Sequence, residues 1–157
     1  MEEKTIDYNA MVNDRYRVNG FMHYNHIELD HAERDKAVFR LTIRPESRNP
    51  FEQLNGGAIF TMADQAGGAA ALTDGRAYVT QNASLQFIRN EASGTVYATA
   101  TVVHRGRATC LVHIDITSEK GTLLAIGTFN FFAVNMELMN EKRPTDSVYR
   151  PGETPAR

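Results

Sequence analysis

The fold is decided by one stretch, Asn49-Pro50-Phe51-Glu52-Gln53-Leu54-Asn55-Gly56-Gly57-Ala58-Ile59-Phe60-Thr61-Met62-Ala63-Asp64. A polar, proline-containing loop gives way at Gly56-Gly57 to small apolar residues that continue to Leu72. Ile59, Met62, Ala63, Ala66 and Ala70 fall at helical spacing, and Asp74-Gly75 supplies a stop. The spacing predicts one long helix over Ala58 to Leu72. Gly67 and Gly68 inside it cost about 1 kcal/mol each relative to alanine, which close packing against that surface offsets. A sheet curling round the helix supplies such packing.

Downstream the sequence turns to strands. Tyr78 to Arg89, Thr95 to Arg105, Ala108 to Ser118 and Leu123 to Val134 are rich in Val, Ile, Thr and Phe, with Gly94, Gly106 and Gly121 at or beside the breaks. Four consecutive antiparallel strands follow. In the third, Cys110, Val112, Ile114 and Ile116 alternate with Thr109, His113, Asp115 and Thr117, the pattern of a sheet with one buried face. Upstream, Pro45 to Leu54 reads as a loop. His26 to Leu29 and Ala37 to Ile43 read as a hairpin around a solvated loop, Asp30 to Lys36. Residues 1–20 read as a short amphipathic helix stopped by Asn19-Gly20. The organisation expected is an N-terminal helical segment over 1–20, an α+β domain over 21–136 and a polar tail over 137–157.

The chain has 157 residues with 17 basic against 19 acidic side chains, a net charge of -2, so it lacks the basic excess that nucleic-acid binding requires. Its longest mostly apolar stretch, Gly57 to Leu72, is interrupted by Asp64 and Gln65 and falls short of the roughly twenty residues that a bilayer demands. No membrane span is expected, and the charged first residues lack the apolar core of a secretory signal. The cytoplasm is the expected compartment. Cys110 is the single cysteine, which excludes an intrachain disulfide and a cysteine-based zinc site. His23 and His26 lack a clear third ligand, so no metal is assigned. Cys110 lies on the apolar face of its strand and is not read as a nucleophile. Asp115 and Glu119 read as surface charges.

Two glycines that open a helix expose backbone N–H groups beside the positive end of its dipole, a place for an anion or a developing oxyanion. The Gly56 amide is the natural donor. Asp64 lies two turns on, in an otherwise small and apolar helix, where an ionised carboxylate is costly unless paired, hydrated or needed. Eight residues at 1.5 Å each put the two roughly 12 Å apart along one helix, so one copy cannot aim both at one carbonyl. Two antiparallel copies bring Gly56 of one beside Asp64 of the other. A catalytic reading therefore implies a homodimer.

These residues resemble the PaaI-like acyl-CoA thioesterases of the hotdog fold, in which an antiparallel sheet wraps a central helix. The resemblance covers roughly Asn49 to Val134. The family pattern is Asn-x5-His-Gly-Gly, an aspartate seven residues later, a strand with Thr or Ser, and a Val-Val-His-Arg-Gly-Arg-like segment. Asn49, Gly56, Gly57, Asp64, Thr80 and Val102-Val103-His104-Arg105-Gly106-Arg107 fill those places. The similarity implies that Gly56 N–H polarises a thioester carbonyl, that Asp64 is nucleophile or general base, and that Asn49 and Thr80 position the reactants. It implies acyl-CoA as substrate, with no cofactor beyond the coenzyme A of the substrate. Gly57, Arg105, Gly106 and Arg107 become candidate coenzyme contacts, and a dimer or a tetramer built as a dimer of dimers the expected assembly. Phe51, Phe60 and Phe87 are candidates to border the acyl slot.

One departure falls at the heart of the motif. Asn55 stands where the family has histidine, and Asn90-Glu91 where a proline is common. Asparagine donates and accepts hydrogen bonds like a neutral imidazole but does not titrate near neutral pH, so positioning survives the exchange and proton handling does not. The alternative reading is a non-catalytic acyl-CoA-binding protein of the same fold.

Overall fold

A computed structural model describes residues 5–137. Two short helices, α1 (Tyr8–Tyr16) and α2 (Gly20–Tyr24), precede strands β1 (Glu28–Glu33) and β2 (Lys36–Thr42). The long helix α3 (Gly56–Leu72) follows, then β3 (Ala77–Phe87), β4 (Thr95–Arg105), β5 (Thr109–Ser118) and β6 (Leu123–Val134). Among the described residues the strands form one antiparallel sheet in the order β1-β2-β4-β5-β6-β3, and α3 packs on one face of it. This is the hotdog architecture. The C-terminal tail expected over 137–157 lies, beyond Glu137, outside the described residues.

Helix α3 starts two residues earlier than periodicity predicts because Asn55 caps it. The Asn55 Oδ1 accepts from the Gly57 N–H at 2.8 Å, and asparagine is among the best N-cap residues. Its buried face, Ile59, Met62, Ala63, Ala66 and Ala70, matches the sequence stripe. The two internal glycines also have their reason. A Cβ at Gly67 would stand 2.8 Å from the Phe131 ring of β6, and one at Gly68 would stand 3.1 Å from the Tyr16 hydroxyl. At Gly67 the sheet approaches too closely for a side chain unless the ring shifts, and at Gly68 the approach of α1 makes a tight contact.

The β5 alternation holds, with Cys110, Val112, Ile114 and Ile116 fully buried and their alternates partly or wholly exposed. Two readings upstream change. Asn19-Gly20 starts a helix as well as following one, because the Asn19 Oδ1 accepts from Met22 N–H and caps α2. The segment Asp30 to Glu33 belongs to β1, and the turn contracts to Arg34-Asp35, with Asp35 at φ 62°. Charged side chains on the solvent face of β1 disguised it as loop, while Ala32 points inward and is buried. Helix α1 covers this edge strand: Asn9 Oδ1 accepts from Ala32 N–H at 2.7 Å, and Val12 and Tyr16 pack inward, Tyr16 against Phe39. At the other edge, β3 is exposed almost throughout from Val79 to Phe87.

Candidate active site

The loop ahead of α3 is held from three directions. Leu54 N–H donates to Glu91 O at 2.8 Å, Asn90 Nδ2 donates to Leu54 O at 2.9 Å, and Asn55 N–H donates to Ser47 O at 2.9 Å. Asn90 and Glu91 thus clamp the loop where the family often has a proline. Asn49 turns the chain: its Oδ1 accepts from the Phe51 and Gln53 amides at 2.9 and 3.2 Å, which leaves its Nδ2 available to a ligand. With Gly57 N–H taken by the cap, Gly56 N–H has no partner among the described residues. Gly56 lines a cleft of about 330 Å³ together with Asn49, Phe87, Ile88, Arg89 and Asn90. Phe87, near the end of β3, lies so close that a Cβ on Gly56 would stand 3.6 Å from its ring.

Asp64 belongs to a second group of residues. Thr80 Oγ1 donates to Asp64 Oδ1 at 2.5 Å, and Gln65 Nε2 donates to Asp64 Oδ2 at 3.2 Å. Thr80 is aimed by a bulge in β3, whose register against β6 shifts between Thr80 and Asn82. Both carboxylate oxygens therefore receive a donor, which fixes the plane of the group, while lone pairs stay free to accept a water proton. The structure joins Asp64 to Thr80 and Asn49 to Gly56. The two pairs lie two turns of α3 apart, roughly 12 Å along its axis.

The coenzyme candidates separate sharply. Arg105 is an internal residue, its side chain 16% exposed. Its Nη1 donates to Ala71 O at 2.7 Å, Asp74 Oδ2 at 2.9 Å and Tyr78 Oη at 3.0 Å, and its Nη2 to Asp35 Oδ1 at 2.6 Å. It caps the C-terminal carbonyls of α3 and ties them to the β1–β2 turn, so both of its terminal nitrogens donate to acceptors within the chain. Burial works to raise the Asp74 carboxyl, yet the Arg76 amide, the Tyr78 hydroxyl, and the Arg76 and Arg105 guanidiniums outweigh it and hold it below its ordinary value. The Gly57 N–H is occupied by the Asn55 side chain. Gly106 makes the tight β4–β5 turn, its N–H donating to Thr109 O at 2.8 Å. Arg107, in that turn, is exposed, and its guanidinium has no partner among the described residues. Cys110 is buried, which pushes its thiol up from the ordinary value.

Of the aromatic residues considered for the acyl slot, Phe87 lines the cleft. Phe60 is 40% exposed and leans on Phe129, and Phe51 is 83% exposed. Ile88 and Arg89 in the cleft were missed by the sequence reading, as was Gln65, although a polar residue beside Asp64 in an apolar helix raises the question that Asp64 itself raised.

Residues 51–125 match the model of the thioesterase superfamily. A 1,4-dihydroxy-2-naphthoyl-CoA hydrolase from Listeria monocytogenes is 30% identical over 103 residues, 64% of this chain and 84% of that protein. The acyl-coenzyme A thioesterase PaaI of Escherichia coli is 29% identical over 101 residues, 64% of this chain and 72% of that one. The solved E. coli PaaI structure superposes with a TM-score of 0.77 at 24% identity, covering 83% of this chain and 97% of that one. A hypothetical thioesterase protein from Streptococcus pneumoniae, solved with coenzyme A, superposes with a TM-score of 0.66 at 25% identity, covering 69% of this chain and 89% of that one. The 30% identity to the Listeria hydrolase across 84% of its length, together with the family match over α3 and β3 to β5, establishes that the chain is an enzyme of the thioesterase superfamily, with the hotdog fold.

Proposed function

We propose that the chain hydrolyses an acyl-CoA, or a related acyl thioester, at a site completed between two copies. The observation that carries this reading is the unpartnered amide of Gly56 at the start of α3, in a cleft that also holds Phe87 and Ile88, with a held carboxylate two turns further along the same helix. Neither group suffices alone. The exposed edge of β3 supports the pairing: Thr80 lies by Asp64 and Phe87 by Gly56. An antiparallel β3 ribbon centred between Ala83 and Ser84 sets Thr80 opposite Phe87 of its twin, and so Asp64 beside the twin's Gly56. Two such dimers joined as a tetramer belong to the same reading.

In the general-base route, Asp64 takes a proton from water and the hydroxide oxygen bonds to the thioester carbon. Gly56 N–H donates to the oxyanion, to which the dipole of α3 is also favourable. Collapse breaks the C–S bond, and the leaving thiolate takes the proton back from Asp64. In the nucleophilic route an Asp64 oxygen bonds to the carbon, the thiolate leaves, and water hydrolyses the anhydride. Labelled solvent oxygen appearing in Asp64 after one turnover marks the second route. Asn55 acts here as a helix cap, a role that needs no titration, and Asn49 Nδ2 and the exposed Arg107 are the proposed substrate contacts.

Thiol release over a panel of acyl-CoAs tests the reading. Asp64→Asn reduces release to background. Gly56→Pro removes a single N–H at a helix position that accepts proline, after a residue whose ψ of 131° suits it, and lowers kcat by about 10²–10³. Tight acyl-CoA binding without thiol release by the unaltered protein supports the binding-protein alternative instead.

A further inference from the structure

Resting on the reading of Asp64 as the reacting carboxylate, we infer that Gln65 and Asn19 are positioning residues that orient it from the N-terminal helices. The hydrogen bonds run in one direction. Met22 N–H donates to Asn19 Oδ1 at 3.2 Å, Asn19 Nδ2 donates to Gln65 Oε1 at 3.1 Å, and Gln65 Nε2 donates to Asp64 Oδ2 at 3.2 Å. Side-chain amides are ambiguous about which end is oxygen, and here the ambiguity is removed at the source. A backbone N–H can only donate, so Asn19 must turn its oxygen to Met22 and its NH2 to Gln65. Gln65 must then turn its oxygen to Asn19 and its NH2 to Asp64.

Tyr16 holds the same residue from the main chain, its hydroxyl donating to Gln65 O at 3.0 Å. Burial first, and the Asp64 charge second, push the Tyr16 hydroxyl above its ordinary value, so it remains a donor. Thr80 Oγ1 and Gln65 Nε2 then each hold one oxygen of Asp64. The cap that starts α2 therefore also sets the polarity of the donor aimed at the carboxylate. Freed from this chain, Gln65 could present its oxygen to Asp64 and turn the carboxylate away from the water or the thioester.

Asn19→Asp tests the inference. Aspartate keeps the cap, since its oxygen still accepts from Met22 N–H, but offers Gln65 no donor, so the Gln65 amide turns over. Gln65→Met removes the donor with little change in size. Steady-state kinetics on a thioester that the unaltered protein hydrolyses should show kcat about tenfold lower in each variant, with KM within twofold. The double variant should be no slower than Gln65→Met, because both act through one bond. Unchanged kcat in Asn19→Asp, or losses that multiply in the double variant, overturns the inference. Should Gln65→Met fail to fold, Asn19→Asp alone decides. Asp64→Asn run alongside separates the two levels: activity retained there refutes the functional reading, whereas activity lost there but full in Asn19→Asp refutes only the positioning role.

Discussion

Replacing Arg105 with methionine should damage the fold and leave coenzyme recognition alone. The guanidinium holds two C-terminal carbonyls of α3, two carboxylates and a tyrosine hydroxyl, and the Asp74 side chain that it meets is only 7% exposed. Removing one member of a buried ion pair costs about 3–5 kcal/mol, because the remaining charge stays desolvated. Arg76 and Tyr78 still reach Asp74, at 2.7 and 2.8 Å, which argues for the lower half of that range. For a domain of this size each kcal/mol lowers Tm by roughly 2–4 °C, so a fall on the order of 10 °C is expected. Thermal melts, with urea titrations to check that the midpoint moves and the slope does not, measure it. KM for acyl-CoA, taken at a temperature where the variant is folded, should stay unchanged. An unaltered Tm together with a tenfold higher KM would refute the internal role and restore the coenzyme contact suggested by sequence.

The depressed Asp74 carboxyl makes stability depend on acid. Its contribution is full near neutral pH, begins to fail near the ordinary value of 3.8, and is gone once pH drops below the folded-state value; the Tm gap between the unaltered protein and Asp74→Asn should therefore close as pH falls. Gly67→Ala sets a gain of about 1 kcal/mol in helix propensity against overpacking of about 1–3 kcal/mol on the Phe131 ring; melting a few degrees lower is expected, and higher melting would mean that the ring yields freely. Arg107→Ala should raise KM several-fold for an acyl-CoA but not for the same acyl group on N-acetylcysteamine, which has no phosphates; equal effects on both would place Arg107 elsewhere in the mechanism.

The parts of the molecule legible in the sequence are those whose cause is local. Helix α3 shows through its periodicity, β5 through its alternation, and the Gly56–Asp64 separation through the fixed rise of a helix. The cap at Asn55 was within reach, since asparagine before two glycines and an apolar run is a helix-start signal in its own right. What stayed hidden depends on distant partners. Arg105 sits beside a glycine turn and reads as a candidate coenzyme contact, and its internal partners Asp35 and Asp74 lie 70 and 31 residues away in sequence. Gln65 looks idle until Asn19 arrives from 46 residues upstream. Strand β1 carries charges because its outer face meets water, and only the buried Ala32 and the cover of α1 reveal it as a strand.

The most direct test mixes two inactive proteins. Asp64→Asn and Gly56→Pro are purified separately, shown to be inactive alone, combined under conditions that exchange subunits, and assayed for thiol release. A mixed dimer reunites an intact Gly56 with an intact Asp64 at one of its two sites, so activity should rise to about a quarter of the unaltered protein after random exchange. Mass analysis confirms that mixed dimers have formed. Recovery to that level is the expected result; mixed dimers that remain as inactive as their parents would contradict a site shared between copies.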